Sequence, residues 1–324
     1  MEKKRVIVLL PKSLAYPPKF DEVPRLVDLF VTQSEEEAVS ALPTADAYFQ
    51  WDFASTALSK AISLDRLSWV HAASLGVDTI LTDRVVNSEV QVSNSQGVYE
   101  YPIAEYVLAM ILYHYKDFST TLRFKEEKQW AWRPTQTLVE KEVALVGPGA
   151  IGSEIHKLLR AAGMKVTLVG RTARAADETN PAIYALNELS EILPKMDGVV
   201  LSLPLTDQTK GFMSAEQFSQ LSRGAFFVNI GRGGLVDENA LVTALQSGHL
   251  SFAGLDVFAT EPLPTDSPLW KMDNVFVSPH MSADVAGWRD RISEIFVGNL
   301  KKWLAAEPLS NLVNKNKLSK KKAT

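Results

Sequence analysis

Apolar positions along this chain fall in short runs separated by polar stretches of helical period, a pattern that predicts parallel β-sheets with helices between the strands. In the first hundred residues, runs at 6–10, 47–51, 69–72 and 90–92 predict buried strands, and 34–41 and 56–61 predict helices. Ile103, Val107, Met110, Ile111 and Tyr115 then recur at helical spacing and predict a long helix from 103 to about 116. Residues 117–141 are polar and aromatic, with Trp130, Trp132 and Pro134 and no clear strand. An arm of that kind between two domains is usually a loop with a purpose or an oligomer contact. From Glu142 the alternation restarts more cleanly, with strand candidates at 143–146, 165–169, 198–203, 225–230, 251–257 and 275–277. That set matches a complete dinucleotide-binding domain. It is finished by Ser278, so the helix expected from 285 to about 306 should pack back on the first domain. The expected fold class is α/β: two Rossmann-like domains with parallel sheets and the active site in the interdomain cleft. One domain comprises 1–101 and 285–324, and the other 102–284.

The run 142–146 leads directly into Gly147-Pro148-Gly149-Ala150-Ile151-Gly152 and then a helical stretch from Ser153. Strand, glycine turn and helix N-terminus together make a phosphate cradle. The first glycine permits the tight turn, the second lets a pyrophosphate approach the backbone, and the third lets helix pack closely on strand. The helix offers unpaired N–H groups and the positive end of its dipole to the anion.

Bulk properties narrow the possibilities. With 324 residues the chain suits two domains. A net charge of −4 gives no general attraction to nucleic acid or an anionic membrane. No stretch approaches the length of a membrane span. The apolar run after the basic N-terminus is too short for a signal peptide and reads as a first buried strand. The absence of cysteine excludes disulfides and thiolate chemistry and is compatible with a cytoplasmic location. No metal site is expected. The one charge run, the lysine-rich tail from Lys315 to Lys322, reads as a frayed solvated terminus.

In an NAD site, an Asp or Glu about 20 residues beyond the glycines accepts hydrogen bonds from the adenosine ribose. Here the second strand ends in Gly170-Arg171-Thr172, with no carboxylate at its tip. Arg171, Thr172 and Arg174 supply cationic and hydroxyl donors where a 2′-phosphate would lie, and arginine meets phosphate with a planar fork. The expectation is NADPH in preference to NADH. The plainer alternative is that Arg171 is a solvated loop charge.

Three polar residues stand at or near the ends of later strands, where ligands meet an open α/β sheet. Arg232 lies in Asn229-Ile230-Gly231-Arg232-Gly233-Gly234. Glu261 follows Gly254-Leu255-Asp256-Val257-Phe258 and precedes Pro262, and His280 closes Ser278-Pro279-His280. With the glycine turn and Leu203-Pro204-Leu205-Thr206, these motifs resemble the D-isomer-specific 2-hydroxyacid dehydrogenases, and among them the glyoxylate/hydroxypyruvate reductase-like branch. The resemblance covers about residues 50–300.

The resemblance implies His280 as proton donor, Glu261 as its partner and Arg232 as the clamp on substrate carboxylate and carbonyl. Chemistry agrees: reduction of a 2-keto acid takes a hydride at carbon and a proton at oxygen. Histidine as a residue type titrates near neutrality, a paired carboxylate orients it, and arginine holds a carboxylate. Taken singly, each has a structural alternative, as His71, His114, His156 and His249 show. The resemblance also places Ile230, Gly231, Leu203, Pro204, Thr209 and Asp256 around the cofactor, Asp256 on its nicotinamide side. Leu75 and Gly76 would hold the substrate carboxylate through backbone N–H groups. Trp51 is a candidate pocket wall, or simply core. Relatives dimerise through the arm, here about 103–141, and Trp132 is a candidate to reach the partner's active site, or simply a tryptophan buried at the interface. The implied partners are a small 2-keto acid and a second copy of the chain in a homodimer, with no nucleic acid and no membrane.

Two departures matter. NAD-preferring relatives carry Asp where Gly170 stands, and formate dehydrogenase relatives carry glutamine where Glu261 stands. The expected activity is reduction of a small 2-keto acid, glyoxylate or hydroxypyruvate in type, to the D-2-hydroxy acid. The alternatives are a dehydrogenase of a larger D-2-hydroxy acid and a non-catalytic NAD(P) sensor on the same fold. A sensor would have no use for a proton donor.

Overall fold

A computed structural model describes residues 3–315. The chain divides into two compact units, one of Met1–Tyr99 with Val285–Thr324 and the other of Glu100–Asp284. The first boundary precedes residue 101 because the long helix runs Glu100–Tyr115, starting ahead of its first buried apolar residue, Ile103.

In the first unit, β1 (Arg5–Leu9), β2 (Asp28–Thr32), β3 (Ala47–Gln50), β4 (Trp69–Ala72) and β5 (Gln91–Asn94) form a parallel sheet in the order β2-β1-β3-β4-β5. That is the flavodoxin-like order, not the full Rossmann one. Every residue of β3 and β4 is buried, as expected for strands covered on both faces. The last long helix, Trp288–Leu304, returns to this sheet. Its Phe296 stacks on Phe49 at 4.3 Å and on Trp69 at 5.2 Å. Beyond it, Leu312 bridges Ser93 on β5, and Lys315 donates to the carbonyls of Val85, Ser88 and Val90. Lys315 is therefore a fastened residue, in correction of its reading as part of a frayed tail; the lysines beyond it lie outside the described residues.

In the second unit, β6 (Glu142–Val146), β7 (Lys165–Gly170), β8 (Ile183–Ala185), β9 (Gly198–Leu201), β10 (Ala225–Asn229), β11 (Leu250–Leu255) and β12 (Val275–Val277) form a parallel sheet. Its order is β12-β11-β10-β9-β6-β7-β8. The strand order reverses between β6 and β9, where ligands of such sheets bind. The sequence pattern missed β2 and β8, whose apolar runs are short, and the helix Phe118–Glu126, which buries no residue and so shows no apolar stripe. That helix is pinned from outside: Arg133 donates to the Asp117 carboxylate, to the Asp117 carbonyl at 2.7 Å and to Thr121 at 2.6 Å.

Candidate functional site

The three glycines of the turn after β6 are required for different reasons. Gly147 adopts φ +109°, and a Cβ on it would stand 2.4 Å from the carbonyl oxygen of Ser202 beyond β9. A Cβ on Gly152 would stand 2.1 Å from the Gly147 carbonyl oxygen. A Cβ on Gly149 would meet nothing within 4 Å. The outer two are thus dictated by packing, and the middle one opens onto free space. Gly149 is also the N-cap of the helix Ala150–Ala161, and no side chain caps that helix. Its first amides are left to an outside acceptor. Pro148 and Ile151 are half-buried and Ala150 is exposed beside them. These features fit a dinucleotide pyrophosphate.

The ribose end is shaped by Gly170. A Cβ there would lie 3.1 Å from Pro148 Cγ and 3.1 Å from Ile183 Cγ2, so any side chain at this position is crowded by the turn and by β8. Arg171 and Thr172 are exposed, and Arg171 makes no hydrogen bond or ion pair among the described residues. Arg174 differs from the expectation. Its guanidinium donates to the Pro181 carbonyl at 3.1 Å and its backbone pairs with Ile183, so it fastens the loop instead of standing free.

Loops after β9, β10 and β11 close on one another. Leu203 is buried, and a Cβ on Gly231 would lie 2.8 Å from its carbonyl oxygen. Thr209, also buried, donates to the Pro204 carbonyl and accepts from the Thr206 amide, each at 2.8 Å. Its hydroxyl is spent on the turn. Gly233 lies so close to Phe258 that no side chain fits. Asn229, noted in the sequence only as part of a motif, clasps this segment: it accepts from the Gly231 amide and donates to the Arg232 carbonyl, both at 3.0 Å. Ile230 is buried beside them. The Arg232 side chain is exposed and steadied by one bond, Nη1 to the Gly231 carbonyl at 2.7 Å. Its other donors are left for a ligand.

Glu261 and His280 meet. His280 Nδ1 lies 2.8 Å from Glu261 Oε2, and Glu261 Oε1 accepts the Phe258 amide at 3.0 Å. Both side chains keep access to solvent, and Arg232 bonds to neither. His280 has φ +55°, in the left-handed region that non-glycine residues rarely adopt. Asp256, 1% exposed, is not a bare carboxylate at a strand tip. Its Oδ1 accepts from Ser278 Oγ at 2.6 Å and from the Met281 amide at 2.9 Å, and its Oδ2 from the Ser282 amide at 3.1 Å. Tyr106 Oη lies 2.9 Å from Ser278 Oγ. Sequence reasoning did not find Tyr106, because no local spacing links two residues so far apart in the chain.

Three of the other histidines have structural partners. His71 is fully buried between Ser93 and Ser95, and burial pushes it down to about 3. His114 stacks on Phe252 and contacts Ser251, and burial pushes it down to about 4. His249 contacts the Phe218 carbonyl.

In the first unit, the carbonyls of Leu75 and Gly76 are taken by Asn94 Nδ2 and Ser74 Oγ, while their N–H groups find no partner among the described residues. Trp51 is 1% exposed and packs on Phe49 at 5.2 Å, so of its two readings the structure supports core and corrects the pocket wall. Among the described residues no His, Asp and Glu gather as a metal site, and no helix is long and apolar enough to cross a membrane.

Residues 108–282 match the family described as "D-isomer specific 2-hydroxyacid dehydrogenase, NAD binding domain". A glyoxylate reductase of Korarchaeum cryptofilum is 31% identical over 255 residues, 77% of this chain and 76% of its own. A D-3-phosphoglycerate dehydrogenase of Mycobacterium tuberculosis is 31% identical over 282 residues, 86% of this chain and 53% of its own. Among solved structures, a D-isomer specific 2-hydroxyacid dehydrogenase of Xanthobacter autotrophicus Py2 in complex with NADPH and MES is 28% identical, with a TM-score of 0.76 over 98% of this chain and 99% of that one. With its parallel sheets, glycine cradle and carboxylate-paired histidine, the chain belongs to the D-isomer-specific 2-hydroxyacid dehydrogenases, NAD(P)-dependent oxidoreductases that act on CH–OH groups.

Proposed function

We propose that the protein reduces a small 2-keto acid, glyoxylate or hydroxypyruvate in type, to the D-2-hydroxy acid with NADPH. The observation that carries this reading is the His280–Glu261 pair, one ring nitrogen held by a fixed carboxylate and the other left to face a substrate. Similarity to glyoxylate reductases supports the substrate type. When bound, the nicotinamide supplies the hydride. His280 gives the proton to the carbonyl oxygen from Nε2, because Nδ1 is engaged with Glu261. Glu261 holds the ring in that orientation and steadies its charged form. Arg232 grips the substrate carboxylate with the donors it does not spend on Gly231 and polarises the carbonyl.

For the cofactor, the helix Ala150–Ala161 and Gly149 receive the pyrophosphate, and Ala150, Ile151, Leu203, Pro204, Ile230 and Gly231 line its course. Arg171 and Thr172 meet the 2′-phosphate, beside a Gly170 at which Pro148 and Ile183 crowd any side chain. The NADPH bound by the Xanthobacter relative supports this choice. The exposed arm, with Trp132 at 87% exposure, supports a homodimer, and the absence of cysteine is compatible with a cytoplasmic setting. Similarity to D-3-phosphoglycerate dehydrogenases favours a second reading, oxidation of a larger D-2-hydroxy acid. Steady-state kinetics over a panel of 2-keto acids and D-2-hydroxy acids, each with NADPH and NADH, separates the two. Higher kcat/KM for 3-phosphoglycerate than for glyoxylate and hydroxypyruvate would overturn the first.

A further inference from the structure

We propose that Tyr106 is a positioning residue for His280, acting through Ser278 and Asp256; the proposal rests on the reading of His280 as the proton donor. His280 has a backbone conformation that must be imposed from outside, since a side chain at φ +55° disfavours it. The loop is held on both sides of His280 by one carboxylate. Ahead of it, the Ser278 hydroxyl donates to Asp256 Oδ1 at 2.6 Å. Behind it, the Met281 amide donates to the same oxygen at 2.9 Å, and the Ser282 amide reaches Oδ1 at 3.3 Å and Oδ2 at 3.1 Å. Ser278 has a single proton, committed to Asp256. The contact between Tyr106 Oη and Ser278 Oγ therefore has the tyrosine as donor.

The result is a directed line, tyrosine hydroxyl to serine hydroxyl to carboxylate, in which each bond strengthens the next. Asp256 and Ser278 are both 1% exposed, so water does not compete for the bond between them. Tyr106 is itself placed by the long helix and by an edge-on contact of its ring with Phe276 on β12 at 6.4 Å. Removing its hydroxyl leaves Ser278 an unfilled acceptor and free to turn. The carboxylate then loses its anchor ahead of His280, and the imidazole drifts from Glu261.

The test uses purified Tyr106→Phe, Ser278→Ala, their double variant and His280→Ala. In keto-acid reduction, kcat should fall about fivefold in Tyr106→Phe and about twentyfold in Ser278→Ala, with KM for NADPH within about twofold of the parent. The double variant should match Ser278→Ala within about twofold, because both act along one line. In ligand-free protein, amide hydrogen exchange across 280–283 should quicken in Tyr106→Phe while β6 and β9 keep their protection. Losses that multiply in the double variant overturn the proposal, as do unchanged kcat and unchanged exchange in Tyr106→Phe. Should Ser278→Ala fail to fold, Tyr106→Phe alone decides. An inactive His280→Ala beside fully active Tyr106→Phe sinks only this inference. An active His280→Ala sinks the catalytic reading, and the exchange result then judges the positioning of the loop by itself.

Discussion

His280 is tied to Glu261 through Nδ1, and because the other oxygen of that carboxyl is fixed by the Phe258 amide, neither partner can turn without breaking a bond. Loss of the imidazole should cost about 10²–10⁴-fold in kcat, the range of general acid–base catalysis. Glu261→Gln should cost less, about tenfold to a hundredfold, since an amide still orients the ring but does not balance its charge. Steady-state reduction of glyoxylate measures both. A His280→Ala enzyme with an undiminished rate contradicts the assignment.

The glycine turn separates folding from binding. A Cβ at Gly152 collides with backbone, so Gly152→Ala should lower stability by about 1–3 kcal/mol, as overpacking does. Gly149→Ala points into open space and should leave the thermal midpoint unchanged while raising the dissociation constant for NADPH about tenfold or more. Thermal melts paired with fluorescence titration read the two effects. Equal destabilisation by both substitutions would refute the distinction.

Cofactor choice should rest on Arg171 more than on Arg174. Arg171→Ala should raise KM for NADPH about tenfold, equivalent to about 1.4 kcal/mol, and leave KM for NADH nearly unchanged. Arg174→Ala should have a smaller and less selective effect, because its guanidinium already serves the Pro181 carbonyl. An Arg171→Ala enzyme that weakens both cofactors alike would speak against 2′-phosphate recognition.

Stability should fall on mild acidification. Burial holds His71 at about 3 and His114 at about 4, whereas an unfolded histidine titrates near 6.5. Below about pH 6.5 the unfolded chain takes up protons that the native protein refuses until pH falls to about 4 for His114 and about 3 for His71. Stability is therefore complete above that range and drops as pH falls, by up to about 1.4 kcal/mol per pH unit for each histidine. Urea midpoints at pH 7 and pH 5 test this; a midpoint at pH 5 equal to or above that at pH 7 would show the histidines do not act so.

The arm should govern assembly. Trp130 and Trp132 are exposed, and the helix Phe118–Glu126 buries nothing, leaving Phe118 and Leu122 on its surface. Light scattering should show a dimer, and Trp130→Ala with Trp132→Ala should yield monomer at micromolar concentration. A parent that runs as a monomer would end this reading.

Buried strands and the glycine turn were legible because they depend on local pattern: Val143, Ala144, Leu145 and Val146 form a continuous buried apolar run, and Gly147 and Gly152 sit where only glycine fits. The Arg232, Glu261 and His280 series was legible as motif, and the contact of the last two followed from folding β11 beside β12. What stayed hidden depends on distant partners. Asp28–Thr32 becomes a strand by lying beside β1, and Phe118–Glu126 is held by Arg133 with no buried face of its own. Tyr106 meets Ser278 only because the long helix lies against that end of the sheet, and Arg174 proved a loop fastener because Pro181 folds back toward it.

Phe296 fills the gap among Phe20, Phe49 and Trp69, and this fixes an order of events as the chain leaves the ribosome. The second unit is continuous in sequence and can close as soon as its last strand emerges. The first sheet is made about two hundred residues before the side chain that completes its core, and until then its aromatic face stays uncovered. Synthesis thus finishes the later unit first, and the earlier one last.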